Sequence, residues 1–398
     1  MSLTTNNRAV PVVSLLAACG VCASALATPT SVTPIANRAM LNTAPAEAVD
    51  VGASFSDPGT SVLRFHFTKG AGALPGQDLG SVDVALLNAR RPITTTNFMN
   101  YVNRPASANN SIQNTVMHRL VPGFVLQGGG FKLPTTNNAA GAAVVTDPQI
   151  MNEYNGAEVP LLSNIRGTLA MAKLGTGPNT ATCQYFFSLA DNSTNLNNQN
   201  GGFTVFARVI GNGMTVIDQL AAIPIWNLAA GTFNSVPCPD LTASSPDLTP
   251  SNWLNCLSIT PVTGVQVLTF SAVSGDATVL TTSVSGATVT LTPVANKAAT
   301  VPVTVTATSP DLTTTTSTFY VRVKGICGAA DVASLGGGLG PDNHVTADDL
   351  IAFLNGFFAS SIAVADIASL GGAPAPDGQL SADDLIAFLD AFFAANCP

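Results

Sequence analysis

Met117-His118-Arg119-Leu120-Val121-Pro122-Gly123-Phe124-Val125-Leu126-Gln127-Gly128-Gly129-Gly130 is the stretch on which the reading of this chain turns. Taken alone, its His-Arg pair reads as a surface feature and Phe124 as core. Its glycines are not followed by Lys-Ser or Lys-Thr, so it is not a phosphate-binding loop. The chain has only three histidines, His66, His118 and His344, at no metal-ligand spacing, and no Gly-x-Ser-x-Gly elbow. Zinc chemistry and a serine triad are thereby excluded.

Working outward, three more blocks follow: Arg166-Gly167-Thr168-Leu169-Ala170-Met171-Ala172, Gln184-Tyr185-Phe186-Phe187 and Gly202-Phe203-Thr204-Val205-Phe206-Ala207. In order and spacing, the four blocks resemble the cyclophilin family of peptidyl-prolyl cis-trans isomerases, over about half of the chain. The resemblance implies a closed eight-stranded antiparallel barrel capped by two helices, with the active groove on one outer face. It implies a catalytic arginine at Arg119, beside His118. Gln127 and Gln184 would hydrogen-bond the substrate backbone. Phe124, Val125, Phe186 and Leu196 would form the proline pocket, closed by Phe203, and Ala172 and Lys173 would line the strand along which the peptide lies. Val125 stands where the family usually has Met, Phe203 where it often has His or Tyr, and Asn195 where many members have Trp. The first two alter the pocket, and the third argues against tight cyclosporin binding.

The chemistry asks little of the chain. An X-Pro bond crosses a barrier of about 18–20 kcal/mol because rotation breaks amide resonance. At the twisted geometry the proline nitrogen regains its lone pair, and a fixed guanidinium donates to it more strongly than to the planar ground state. No cofactor, nucleophile or proton transfer is needed. Substrates are expected to be proline-containing peptides or unfolded proteins. The alternative function is a surface or matrix binding protein that holds such segments without turnover.

The rest of the chain sets this unit among others. Its 398 residues argue for two or three domains. Only 10% are charged, and 15 basic against 23 acidic residues leave no footprint for nucleic acid. Arg8, the apolar run Ala9 to Ala27 and the small-x-small end Ala25-Leu26-Ala27 read as an export signal over residues 1–27. The rival box Leu16-Ala17-Ala18-Cys19 would leave a lipidated Cys19. No later run is long enough for a membrane span. Residues 28–50 read as an Ala/Thr/Pro-rich linker and 51–262 as the isomerase unit, with strands at Ser61 to Thr68, Ser81 to Leu87 and Gly202 to Val209 and helices at Thr94 to Asn103 and Gly213 to Ala222. From 263 to 324, alternation such as Thr300-Val301-Pro302-Val303-Thr304-Val305-Thr306 predicts a small Ig-like β-sandwich serving as a spacer. The fold class is thus multidomain and mainly β.

Residues 325–398 are different. From Cys327 to Pro398 there are nine Asp and no Lys, Arg or Glu, a charge of -9 against +1 for everything before. Asp331-Val-Ala-Ser-Leu-Gly-Gly returns as Asp366-Ile-Ala-Ser-Leu-Gly-Gly, and Asp348-Asp349-Leu350-Ile-Ala-Phe-Leu as Asp383-Asp384-Leu385-Ile-Ala-Phe-Leu, each 35 residues on. Each Asp pair opens an amphipathic helix, where carboxylates serve as caps. The alternative is calcium, because the loops resemble those of a divergent, duplicated dockerin. That resemblance implies calcium ligands at Asp331, Asp342, Asp349, Asp366, Asp377 and Asp384, and a cohesin-like docking partner. The expected disulfides are Cys238 to Cys256, pinning a Pro/Ser/Asp-rich loop, and Cys327 to Cys397, clasping the tail. Cys183 is expected free.

Overall fold

The computed structural model describes residues 29–70, 77–228, 233–242 and 248–395. The export signal with Cys19, and Cys397 with its pairing to Cys327, lie outside them. Strands β1 (Arg38–Leu41) and β2 (Glu47–Asp50) occupy the stretch expected as a linker. Each has four residues and a single buried side chain, Met40 or Val49, which is too little for a period of two to stand out among Ala, Thr and Pro. Their partners lie far along the chain.

The next strands are β3 (Ser61–Lys69), β4 (Asp78–Leu86), β5 (Thr115–Val116), β6 (Arg119–Val121), β7 (Val125–Gly128), β8 (Thr168–Met171), β9 (Tyr185–Ser188), β10 (Val205–Val209) and β11 (Leu254–Val262). They form one antiparallel sheet in the order β5-β11-β3-β4-β10-β8-β9-β7-β6. Among the described residues this is a curled sheet of nine strands, where a closed barrel of eight was expected. Its outermost strands are separated in the chain only by Met117 and His118, so the chain itself brings the two edges round toward each other. The concave side is filled by Phe65, Phe67, Tyr185, Phe187 and Phe206, all with no exposed surface. Helix α1 (Pro92–Val102) adds Phe98 and Tyr101, and α3 (Gly213–Ala221) adds Ile217 and Leu220. Aromatic packing is dense, with the Phe98 and Phe206 ring centres 4.9 Å apart.

The expected Cys238–Cys256 disulfide is corrected by the packing. Both thiols are free and buried, as is Cys183. Cys256, on β11, points into the aromatic core, whereas Cys238 joins a separate cluster with Val116, Val236 and Trp253. Sequence proximity hid the fact that the two belong to different cores. Burial pushes the thiols of Cys183 up to about 11 and of the other two to about 12.

Strands β12 (Thr269–Ser274), β13 (Leu280–Ser285), β14 (Thr288–Pro293), β15 (Ala299–Thr308) and β16 (Thr314–Lys324) build two sheets that share one apolar core. One sheet runs β12-β15-β16-β1, with β1 parallel to β16, and the other runs β13-β14-β2. Val301, Val303 and Val305 face inward, as the alternation required. The β15–β16 turn leans on the curled sheet: Leu312 packs against its outer apolar cluster, and Arg90 Nη1 donates to the Asp311 carbonyl at 3.2 Å.

Helices α4 (Ala347–Phe358), α5 (Ile362–Ala365) and α6 (Ala382–Ala394) form the tail. The apolar faces of α4 and α6 meet, with the Phe353 and Phe388 rings stacked at 4.0 Å. The aspartates accept from backbone N–H groups of the loops. Asp331 accepts from the N–H groups of Asp342 and Asn343, and Asp349 Oδ1 from those of Val332 and Ala333, both at 2.8 Å. Asp366 and Asp384 repeat this on Asp377, Gly378, Ile367 and Ala368. Asp342 and Asp377 accept from the Leu335 and Leu370 N–H groups. Thr346 with Asp349, and Ser381 with Asp384, are capping boxes. Among the described residues no three His, Cys, Asp or Glu side chains converge to hold a metal ion. Calcium enters no step below.

Candidate active site

In an antiparallel ladder, directly opposed residues share a face and their chain neighbours take the other. Arg119 opposes Gln127, Gln127 opposes Phe186, Phe186 opposes Ala170, and Ala170 opposes Val205. One row thus crosses β6, β7, β9, β8 and β10 on the convex face. The next row, Leu120, Leu126, Phe187, Leu169 and Ala207, lies in the concave core. Register alone carries the arginine, the glutamine and the aromatic ring to the same outer surface.

The apolar end of that surface gathers the expected pocket. Val125, Phe186 and Leu196 are buried, with Phe124, Ala172 and Phe203 partly covered in the same cluster. Leu196 arrives on the short helix α2 (Ser193–Leu196), placed by Asn192, whose Nδ2 donates to the Phe124 carbonyl at 2.8 Å. The Phe203 N–H donates to the Leu196 carbonyl at 2.9 Å, which brings the Phe203 ring edge-on to Phe186 at 5.9 Å.

The polar end adjoins it. Arg119 Nη1 donates to Gln127 Oε1 at 3.3 Å, and Gln127 Nε2 donates to Gln184 Oε1 at 2.9 Å. This amide relay orients the guanidinium. Both glutamines line a groove of about 580 Å³ together with His118, Arg119, Ala172 and Lys173. His118 is 2% exposed, edge-on to Phe131 at 4.9 Å. Burial first, then the positive charge of Arg119, pull its pKa down to about 4, so its ring is neutral near pH 7. Lys173 is not free toward the groove: Nζ donates to the carbonyls of Asn200 and Gly202 and lies 4.5 Å from the Phe203 ring centre. Burial lowers its pKa to about 8.

Several residues escaped the sequence reading. Thr146, Gln149, Thr180, Thr182 and Asn234 also line the groove. They come from separate loops and share no motif, so no local pattern marked them. Glu158 is nearly buried and paired with both Arg90 and Arg91. Burial raises its pKa, but the hydrogen bonds from the two arginines and from the Leu162 N–H outweigh that and bring it below the usual carboxylate value. The sequence offered only the adjacent arginines as a signal, with no indication of their partner.

Residues 75–237 match the family model described as cyclophilin type peptidyl-prolyl cis-trans isomerase/CLD. A peptidyl-prolyl cis-trans isomerase of Acinetobacter baylyi is 38% identical over 148 residues, which are 37% of this chain and 70% of that protein. Peptidyl-prolyl cis-trans isomerase A of Dickeya dadantii is 32% identical, over 42% of this chain and 78% of its own. Peptidyl-prolyl cis-trans isomerase B of Escherichia coli is also 32% identical, over 42% of this chain and 92% of its own.

Proposed function

Because the chain belongs to the cyclophilin-type peptidyl-prolyl cis-trans isomerases, we propose that Arg119 is the group that lowers its barrier, acting over a proline pocket of Phe124, Val125, Phe186, Leu196 and Phe203. The observation that carries this reading is the single outer row in which Arg119, Gln127 and Phe186 stand opposed across three strands. The ring is gripped at the apolar end. The carbonyl before it swings at the polar end, where Gln127 and Gln184 hold the neighbouring backbone. As the amide twists, its nitrogen becomes an acceptor, and a donor fixed beforehand gains a bond that the planar substrate cannot offer. His118 is neutral and buried, which supports a role in packing beside the arginine rather than in proton transfer.

The test is exchange of an Ala-Pro peptide by the full chain. Arg119→Ala is expected to lose about a hundredfold in kcat/KM, the scale of one transition-state donor, with the fold intact. A folded variant that retained wild-type exchange would reject the arginine mechanism.

The reading extends to the other units. Arg8 and the apolar run before Ala27 support export of the protein. The two-sheet unit is read as an Ig-like spacer and the tail as a dockerin-like docking module for a cohesin-like partner. The tail's exposed Ile351 and Phe358, repeated at Ile386 and Phe393, support docking, since all four are more than half exposed.

A further inference from the structure

We propose that Lys173 is a positioning residue: its ammonium ties down loop 199–203 so that Phe203 closes the proline pocket, and it thereby sets affinity for the substrate's proline. The proposal rests on the reading of Phe186 and Phe203 as walls of that pocket.

The loop leaves the ladder, so its carbonyls need donors from elsewhere. Asn200, Gly201 and Gly202 stand in succession at φ 50°, 73° and 74°, a run that only glycine and asparagine take readily. Gly202 also lies under the Tyr154 ring, where a Cβ would come within 2.0 Å of a ring carbon. Three side chains supply donors, and Asn164 Nδ2 gives one to the Phe203 carbonyl at 2.9 Å. Asn152 Nδ2 donates to the Gly201 and Gly202 carbonyls at 2.9 and 3.0 Å. Lys173 Nζ donates to the Asn200 carbonyl at 2.8 Å and the Gly202 carbonyl at 2.5 Å. The same ammonium stands 4.5 Å from the centre of the Phe203 ring, which then meets Phe186.

One cation thus holds the loop on both sides of its tightest turn and the ring that follows it. Charge-assisted bonds to carbonyls and a cation over an aromatic face are the interactions that strengthen where water is scarce. No ionisable side chain perturbs Lys173; burial alone does. The charged or titratable side chains sharing its groove are Arg119 and the neutral His118. Its charge is therefore committed to the loop rather than to a neighbouring carboxylate.

The experiment is a double-mutant cycle on the full chain with Lys173→Met, Phe203→Ala and the pair, reading KM and kcat for an Ala-Pro peptide. Lys173→Met is expected to raise KM about tenfold with kcat within about twofold, as befits the loss of binding that ground and transition states share. The unfolding midpoint should stay near that of the wild type. In the Phe203→Ala background the same substitution should add nothing, because the lysine acts through that ring. Additive losses would mean that Lys173 touches the substrate directly and would overturn the proposal. So would an unchanged KM in Lys173→Met beside a raised KM in Phe203→Ala. An unchanged KM in Phe203→Ala would overturn the pocket itself, and the lysine's role with it.

Discussion

His118 and Arg119 are neighbours in the chain and in the groove, but they differ in exposure. The arginine reaches a partly open groove, while the imidazole is sealed against Phe131. The folded pKa of His118, about 4 against 6.5, lies below its unfolded value. The unfolded chain therefore binds more protons between these two values, and stability rises with pH across that window. The contribution is complete above about pH 6.5 and is lost as pH falls through about 4. Asp366 opposes it: burial, with the charges of Asp384 and Asp377 behind it, raises its pKa to about 6, so its contribution is present below the unfolded 3.8 and lost as pH rises through about 6. Urea unfolding at about pH 4 and 7 should show wild type losing about 3 kcal/mol more than His118→Phe on acidification, since each pKa unit is worth about 1.4 kcal/mol. Equal losses in the two proteins would refute the buried neutral ring.

At the scale of elements, the tail's loops are held by carboxylates acting as hubs for backbone N–H groups. Asp349 serves Val332 and Ala333 through one oxygen and Thr346 through the other. Asp349→Ala leaves two buried donors, the Val332 and Ala333 N–H groups, without partners, and at about 1–3 kcal/mol each the tail should lose at least about 2 kcal/mol. Loss of the circular-dichroism signal of the full chain in urea measures this, and a destabilisation below about 1 kcal/mol would refute the hub. A cap and an ion ligand both place Asp at the start of a helix, so the sequence could not separate them. Strands of three or four residues carry too little alternation to show a shared face, so Arg119, Gln127 and Phe186 were legible only through the resemblance of their motif blocks to a known family. The groove's far wall, from Thr146 to Asn234, was not, because it depends on where loops land. Strands β1 and β2 were illegible for another reason: four residues with one buried side chain carry almost no periodic signal.

At the scale of the whole molecule, the tail is joined to the two-sheet unit through a buried cation. Arg322 on β16 is 2% exposed, and its Nη1 donates at 3.2 Å to the carbonyls of Ala363 and Val364 in α5. Thr300 Oγ1 donates to the Asp366 carbonyl alongside. Burial depresses the guanidinium's pKa to about 10, with the nearby charges of Asp366 and Asp384 resisting. Removing one partner from such a buried set costs about 3–5 kcal/mol, because the remaining groups stay desolvated. Arg322→Ala should therefore separate one thermal transition into two, the tail melting first, as scanning calorimetry would show. A single transition at the wild-type temperature would refute this joint.

The pairing of β1 with β16 and of β2 with β14 makes the isomerase unit an insertion. The chain starts one domain, leaves to build another between Asp50 and Thr269, and returns to finish the first. During synthesis β1 and β2 thus emerge long before their partners, and they wait while the whole catalytic sheet is made and closed by its own shorter-range contacts. In the finished protein, the catalytic unit hangs from its scaffold by two threads instead of one. A bead on a single thread can spin and swing; a bead on two is confined in direction, and its groove faces the same way relative to the two-sheet unit.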